Sequence, residues 1–289
     1  MEDKNKITIF GATGKIGKEL LTFLSAAGIT AIAVTRNKNK AKEMPSVEWV
    51  EANMLSKATL YNTMKNSKVV FLASSINDNF VEEQNNVIEV AKEQGVTHIV
   101  KLSSPGAVKN SPFFIAKLHF EVEESLKASG LSWTILQPNS FMQNWLGEFS
   151  ETIKRERKIY EGTGDGKKPF IDTRDIAEVA FKILTNPAEH SNQTYLLTAD
   201  EAVNYAEVAE AISNAIGDNV QFIPLTIDEL EQRMKRKGMP PLMIQTFIAI
   251  AEGQRQGKAT FTNTIVKDIL NKPSRTIHDF AMDYASWFK

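Results

Sequence analysis

Short apolar runs alternate with longer amphipathic stretches over the first two-thirds of the chain. The runs that predict strands are Ile7–Phe10, Ile29–Val34, Val47–Val50, Val69–Ala73, His98–Leu102 and Trp133–Leu136. The stretches with helical periodicity are Lys15–Ala27, Lys57–Met64, Phe80–Gln94 and Phe114–Ser129. Apolar runs without polar alternation are typical of parallel strands that are covered on both faces. Their alternation with helices predicts an α/β fold built on a doubly wound parallel sheet.

The pattern becomes looser after Asn139. A turn-rich loop is followed by segments that predict a strand, a helix, a strand and a helix, in the order Pro169–Ile171, Thr173–Leu184, Gln193–Thr198 and Tyr205–Ile216. The remainder, Ile227–Lys289, is mostly helical in pattern. We expect a first domain at 1–150, with its sheet completed by parts of 169–200. Residues 151–289 then form a smaller, mostly helical lobe that serves as a lid or substrate lobe on the same body.

Composition narrows the class of protein. The 289 residues include 34 Lys and Arg against 35 Asp and Glu, so no net charge favours nucleic acid or an anionic membrane. Cysteine is absent, which removes disulfides, thiolate metal sites and a cysteine nucleophile, and suits a reducing compartment. No signal peptide and no apolar span of about 20 residues is visible. We therefore expect a soluble, cytoplasmic protein.

The loop after the first predicted strand contains three regularly spaced glycines. The sequence Gly11-Ala12-Thr13-Gly14-Lys15-Ile16-Gly17 joins a strand to a helix with GxxGxxG spacing. Gly11 permits a tight turn, Gly14 permits close approach of backbone amides to a pyrophosphate, and Gly17 permits close packing of helix on sheet. The strand–loop–helix context indicates a Rossmann-type dinucleotide site at the helix N-terminus. The candidate cofactor contacts in this loop are Gly11, Thr13, Gly14, Lys15, Ile16 and Gly17.

The end of the second predicted strand bears on the choice of cofactor. NAD-specific folds place an acid there for the ribose 2′-hydroxyl, whereas this chain has Arg36. A guanidinium suits a 2′-phosphate, so we expect NADP(H) rather than NAD(H), although Arg36 could also be a solvated loop charge. Asn53 is placed near the adenine by its position after the third strand. Ser74 and Ser75 are placed at the cofactor edge by their position after the fourth.

The helix that would hold a Tyr–Lys catalytic pair contains no tyrosine. The residue four positions before Lys117 is Phe113, and the residue four positions before His119 is Ile115. A mechanism in which a phenolate exchanges a proton with a hydroxyl is therefore hard to build. His119 remains as a candidate catalytic residue that orients substrate or donates a hydrogen bond. The alternative is a helix histidine that only bonds a backbone carbonyl.

These segments together resemble the NmrA-like branch of atypical short-chain dehydrogenases, and especially its quinone oxidoreductase and triphenylmethane reductase members. The matching residues are Phe10–Gly17, then His119 and Glu123 through Ser129–Thr134, then Gln137–Asn144 and Phe170–Ala177. In that branch a histidine stands where lysine is usual, and the tyrosine is absent. Gln137 departs from the pattern, because many relatives have arginine there.

The resemblance implies hydride transfer from NADPH to an electron-poor acceptor such as a quinone, a dye cation or an imine. Such acceptors need proximity and one weak hydrogen-bond donor rather than a strong acid. The resemblance also supports His119 as a catalytic residue.

The segment Asn139–Trp145 follows the sixth predicted strand, at the carboxyl edge where open α/β sheets bind substrates. Phe141, Met142 and Trp145 are candidates for an apolar substrate pocket and Asn144 for a polar contact, the alternative being packing of the lobe. Asp172 and Asp175 are more simply explained by a helix start than by catalysis. The spacing of the histidines indicates no metal site.

The leading function is an NADPH-dependent oxidoreductase acting on a small molecule. A non-catalytic NADP(H) sensor of the NmrA type is the alternative, and a nucleotide-sugar epimerase is third, disfavoured by the missing tyrosine. The helical C-terminal third serves either as a homodimer surface or in simple packing.

Overall fold

The computed structural model describes residues 6–289. The strands, in chain order, are β1 (Lys6–Ile9), β2 (Ala31–Thr35), β3 (Val47–Glu51), β4 (Ser67–Leu72), β5 (His98–Leu102), β6 (Ser132–Pro138), β7 (Lys158–Glu161), β8 (Gln193–Leu197) and β9 (Gln221–Pro224). The helices are α1 (Lys15–Ala26), α2 (Lys57–Met64), α3 (Phe80–Glu93), α4 (Phe114–Ala128), α5 (Glu148–Glu156), α6 (Thr173–Thr185), α7 (Tyr205–Ile216), α8 (Ile227–Arg236), α9 (Pro241–Arg255), α10 (Ile265–Leu270) and α11 (Ile277–Asp283).

The chain divides into two compact units, each built from two separate stretches of sequence. Unit 1 contains the residues up to Pro138 together with Thr173–Leu197, and unit 2 contains Asn139–Asp172 together with Thr198–Lys289. The chain therefore leaves the first unit after β6, returns to it for α6 and β8, and leaves it again.

Unit 1 is built on a seven-stranded parallel sheet with the order β3-β2-β1-β4-β5-β6-β8. Every residue of β2 is buried, as expected for an inner strand covered on both faces. The edge strand β3 exposes Glu48 and Glu51, and charges on an edge oppose pairing with another chain. The strand order reverses between β1 and β4, so these two strands flank the switch point of the sheet.

Two groups of helices cover the sheet. Apolar residues of α2, α3 and α4 form one buried cluster with Val70 and Leu72 of β4. The intervening residues Val69 and Phe71 point to the other face, because side chains alternate along a strand. On that face α6 packs against β4 and β5 and also contacts α1. The predicted α/β fold with a doubly wound parallel sheet is confirmed.

Unit 2 is mostly helical around an aromatic core. Trp145, Phe170 and Phe280 are among its buried residues, and Ile153 and Ile212 fill the core from α5 and α7. The helices α7, α8 and α11 each begin with a capping box, in which a side chain and a backbone amide bond reciprocally across the first turn. The strands β7 and β9 form a separate two-stranded parallel sheet.

One predicted strand is wrong. Instead of a continuous ladder, the segment Pro169–Ile171 has only isolated bridges, one between Ile171 and Phe141 and one between Val203 and Lys168, the residue just before the segment. Proline has no amide hydrogen to donate, so Pro169 interrupts the pairing that a strand needs.

Within residues 6–289, no helix is both long enough and apolar enough to span a bilayer.

Candidate active site

The loop between β1 and α1 is shaped by positions that leave no room for a side chain. Gly11 has a left-handed φ of 76°, and a Cβ there would lie 2.8 Å from the carbonyl oxygen of Ala73. A Cβ on Gly17 would lie 2.2 Å from the carbonyl oxygen of Gly11. The amide of Gly14 closes the turn by donating to that same carbonyl at 2.9 Å. The loop therefore turns sharply beside the residue that follows β4. The first turn of α1 then packs directly against the backbone of Gly11.

The loop residues differ in exposure. Gly14 and Lys15 are exposed and Thr13 is half-buried, whereas the side chain of Ile16 is buried beneath α1. Among the described residues, no side chain caps the N-terminus of α1 and no acid lies in its first turn. A helix N-terminus of this kind favours an anion through its amides and its dipole.

The remaining candidate cofactor residues follow neighbouring parallel strands and so lie at one edge of the sheet. Arg36 follows β2 directly and is exposed, and it forms no hydrogen bond or ion pair with residues 6–289. Asn53, after β3, accepts a hydrogen bond from the amide of Leu55 through its side-chain oxygen at 3.0 Å. Ser74, after β4, accepts from the Gln84 amide group at 3.0 Å, and Ser75 is exposed.

Arg36 begins a cationic segment. Lys38 and Lys40 follow on a short exposed helical turn, and the side chain of Asn37 caps that turn by accepting from the Asn39 amide. The nearest acid in sequence after Arg36 is Glu43. This segment supplies positive charge at the edge of the sheet where its parallel strands end.

His119 lies on α4 and is 8% exposed. Its Nδ1 is 3.0 Å from Nζ of Lys101, a β5 lysine whose side chain is fully buried. The ring of Phe80 meets the imidazole edge-on, with the two centroids 4.9 Å apart. Lys117, by contrast, is exposed and contributes nothing to this group. The structure thus joins His119 to a lysine from the strand rather than to a residue of its own helix.

When Lys101 is an ammonium, its contact with His119 fixes the tautomer of the histidine. An ammonium can only donate, and Lys101 also donates to the carbonyl oxygen of Leu102 at 3.1 Å. With Lys101 as donor, His119 Nδ1 is the acceptor and the ring hydrogen is on Nε2. Within the described residues Nε2 makes no hydrogen bond, so the N–H remains as a donor for a ligand.

Burial disfavours charge on both His119 and Lys101. Burial lowers the pKa of His119 well below its ordinary value, and the positive charge of Lys101 lowers it further. Burial also lowers the pKa of Lys101 to about 7, although the carboxylate of Glu123 opposes this change. His119 is consequently neutral at physiological pH.

Glu123 is the negative member of this buried group and lies one turn after His119. One carboxylate oxygen accepts from the Ser103 hydroxyl at 2.5 Å and from the Gln137 amide at 2.9 Å. Its other oxygen is 3.6 Å from Nζ of Lys127. Gln137 therefore gives Glu123 a neutral hydrogen bond.

Replacing Lys101 with methionine is expected to remove a pH dependence from the stability of the chain. Because the pKa of Lys101 is about 7 when folded and 10.5 in its ordinary state, the unfolded chain binds more protons between those pH values. The free energy of unfolding of the native chain therefore rises with pH in this window, by up to about 1.4 kcal/mol per pH unit from this group. Urea denaturation of both proteins at several pH values measures the difference.

Lys168, whose folded pKa is about 8, titrates in the same window in both proteins and cancels in the comparison. Identical slopes in the two proteins would show that Lys101 is not a depressed, buried base.

The candidate substrate residues lie in unit 2. Phe141, Asn144 and Trp145 line a cavity of about 340 Å³ that is formed by this unit alone. Met142 is buried in the core and does not line the cavity. Trp145 is also mostly buried, and it contacts Phe170 edge-on with centroids 4.9 Å apart.

Sequence reasoning missed two sets of residues. Lys101 had a visible signal, because it is a lysine within the apolar run His98–Leu102. The cavity also contains Glu161 and Lys168, which no motif indicated. Their proximity depends on how a long loop folds, which local pattern does not determine.

Comparison of the sequence with models of known protein families decides the classification. The NmrA-like family matches residues 3–265. The chain belongs to the NmrA-like family. The resemblance predicted from the motifs is thereby confirmed.

Individual relatives agree with this classification. This NmrA-like chain is 32% identical to the NAD(P)H azoreductase of Xenophilus azovorans, over 98% of this chain and 99% of the relative. Its fold matches the NADPH-dependent quinone oxidoreductase of Escherichia coli, solved with NADPH, with a TM-score of 0.84 at 23% identity, covering 96% and 99% of the two chains. It also matches the triphenylmethane reductase of Citrobacter sp. with a TM-score of 0.83 at 20% identity, covering 96% and 99%.

Proposed function

We propose that this NmrA-like chain is an NADPH-dependent reductase that transfers hydride to an electron-poor small molecule. The acceptor class is a quinone, an azo compound, a dye cation or an imine. The observation that supports this most directly is the neutral His119, held by Lys101 with its Nε2–H unbonded within residues 6–289. The azoreductase relative, which aligns along nearly the whole chain, supports the same class of reaction.

The residues of unit 1 are suited to bind the pyrophosphate and the 2′-phosphate of NADPH. The glycine loop lets backbone amides approach a pyrophosphate, since a Cβ at Gly11 or Gly17 would meet backbone atoms within 3 Å. Arg36 lacks a partner among the described residues and has the donor geometry for a 2′-phosphate. Gly14, Lys15, Ser74 and Asn53 lie at the same edge and would complete the contacts.

When bound, NADPH supplies the hydride. His119 would then donate its Nε2–H to the oxygen or nitrogen on which negative charge develops. Because His119 is neutral, it acts as a hydrogen-bond donor rather than as a strong acid. Lys101 keeps the imidazole in the donating tautomer, and Phe80 restricts the ring from one side.

The helix α4 has no tyrosine with which to form a Tyr–Lys pair. This absence fits acceptors that accept hydride readily and leave a delocalised or neutral product. A quinone gives a delocalised oxyanion that a single donor stabilises, and a dye cation needs only proximity and orientation. Simple alcohols and ketones, which need a phenolate to move a proton, are not expected to be substrates.

The test of this function is oxidation of NADPH by the purified chain with a panel of quinones, azo dyes, triarylmethane dyes and cyclic imines. NADH is measured in parallel. We expect turnover with at least one class of acceptor and a preference for NADPH. Tight binding of NADPH without turnover on any acceptor would contradict the proposal and favour an NADP(H) sensor.

Arg36→Ala is expected to weaken NADPH binding by about ten- to a hundredfold and to leave NADH binding within about twofold. Only NADPH has the 2′-phosphate, and a charge-assisted hydrogen bond is worth roughly 1.5–3 kcal/mol. Calorimetric titration with each cofactor measures the two affinities.

Lys92→Ala is the matched control, since Lys92 is exposed in the last turn of α3, away from the edge that Arg36 occupies. It removes one positive charge and is expected to change neither affinity. Equal losses of NADPH and NADH affinity in Arg36→Ala would show that Arg36 has no role in cofactor choice.

A further inference from the structure

The cavity in unit 2 is walled largely by aromatic side chains. Phe141, Trp145, Phe149, Tyr160, Phe170 and Tyr205 are among its lining residues. Trp145 stacks with Phe149 at a centroid distance of 6.1 Å and meets Phe170 edge-on. The volume of about 340 Å³ lies within the range of sites that enclose small ligands. Such walls favour a flat, ring-containing molecule.

The charged residues of the cavity are unequally divided by sign. Four cationic side chains line it, Lys158, Lys168, Arg233 and Lys237, against the two carboxylates of Glu148 and Glu161. Lys237 and Glu148 form an ion pair with each other. The other three cations form no ion pair with residues 6–289, although Arg233 lies over the ring of Tyr160 at 4.8 Å. The cavity thus has positive charge that the described protein does not neutralise.

Burial of Glu161 strengthens this asymmetry, and Lys168 weakens it only slightly. Burial raises the pKa of Glu161 to about 7, so this carboxyl is partly protonated near neutrality. Lys168 is 8% exposed, and burial lowers its pKa to about 8, so most of it remains charged at pH 7. The cavity is accordingly more positive at neutral pH than the count of residues suggests.

We propose that this cavity binds a flat aromatic molecule that has an acidic substituent, with the anion held by Lys168 and Arg233 and the rings held by the aromatic walls. The inference rests on the proposed function only in taking this molecule as the hydride acceptor. Acceptors with a carboxylate or sulfonate are then preferred over uncharged or cationic acceptors of the same shape.

Three azobenzenes of matched shape test the proposal, one with a carboxylate, one with a carboxamide and one with a trimethylammonium group. Binding is measured without NADPH by calorimetric titration and by quenching of tryptophan fluorescence. We expect the carboxylate to bind about tenfold more tightly than the carboxamide, and the ammonium compound to bind most weakly. Turnover with NADPH is measured separately, so failure of the reductase function and failure of the binding site give different results.

Variants identify the residues responsible. Arg233→Gln and Lys168→Met are each expected to reduce the tenfold preference to about threefold or less. Lys235→Gln is the matched control, because Lys235 is exposed on the same helix, pairs with Glu231 and does not line the cavity. If Lys168→Met does not fold, Arg233→Gln alone decides the result.

Equal binding of carboxylate and carboxamide would overturn the proposal, as would tightest binding of the ammonium compound. Retention of the preference in both cavity variants would also overturn it, since the anion would then be recognised elsewhere.

Discussion

Gly17→Ala is expected to abolish measurable binding of NADPH at concentrations that saturate the native chain and to destabilise unit 1. The added Cβ would lie 2.2 Å from the carbonyl oxygen of Gly11 and 2.8 Å from Cα of Ala12. Both are backbone atoms, so no flexible side chain can move aside, and α1 must shift away from the loop. Overpacking of this kind costs about 1–3 kcal/mol or more, and the shift also displaces the helix N-terminus. Urea denaturation and calorimetric titration with NADPH measure the two effects.

Gly253→Ala is the control for the loss of a glycine. Gly253 lies inside α9, and a Cβ there would meet nothing within 4 Å. We expect this variant to gain about 0.5–1 kcal/mol of stability, because alanine favours the helix, and to bind NADPH normally. Native stability and affinity in Gly17→Ala would show that the loop does not pack as described.

His119→Ala is expected to lower turnover by about a hundredfold while leaving the affinity for NADPH within about twofold. The imidazole would stabilise charge that develops only during reduction, so its removal affects the rate more than binding of the cofactor. Steady-state kinetics with the best acceptor of the panel, together with titration of NADPH, measures both quantities.

His98→Ala is the matched control for removing a buried imidazole. His98 is also neutral and buried, with its ring nitrogens 2.9 Å and 2.8 Å from the hydroxyls of Ser132 and Thr134. Its loss is expected to cost stability and to leave the turnover of the folded protein unchanged. If the two variants lose turnover equally, His119 is a structural residue.

Spectroscopy distinguishes a positioning role for Lys101 from a purely structural one. In the native chain, the ¹⁵N chemical shifts of His119 are expected to show the neutral tautomer with the hydrogen on Nε2. In Lys101→Met they are expected to show a mixture of tautomers, because the donor to Nδ1 is gone. Unchanged shifts would remove Lys101 from the mechanism.

Much of unit 1 was predictable because its signals are local. The runs at His98–Leu102 and Lys57–Met64 match β5 and α2 at both ends. The sequence pattern starts the second strand at Ile29, two residues before Ala31, because Ile29 just ahead of the strand is also apolar. Burial on both faces produces these patterns in the sequence itself.

The parts that escaped prediction depend on contacts between distant residues. The strands β7 and β9 pair Ile159 with Phe222 across 62 intervening positions, and the polar residues next to these strands obscure their apolar pattern. Lys101 is buried because His119 and Glu123 compensate it, and neither is near it in sequence. The candidate site was predictable as a set of positions at strand ends, but the partner that orients the histidine was not.

The interrupted course of unit 1 has a practical consequence for any attempt to divide the protein. A fragment ending at Pro138 would lose β8, which pairs with β6 over five positions, and α6, which packs beside α1. β6 would become a free edge with unpaired backbone groups beside an uncovered apolar face, and such edges drive association between chains. A gene cut after the codon for Pro138 would therefore yield an aggregating product. Deleting or shortening only residues 139–172 keeps every strand of the seven-stranded sheet in the polypeptide.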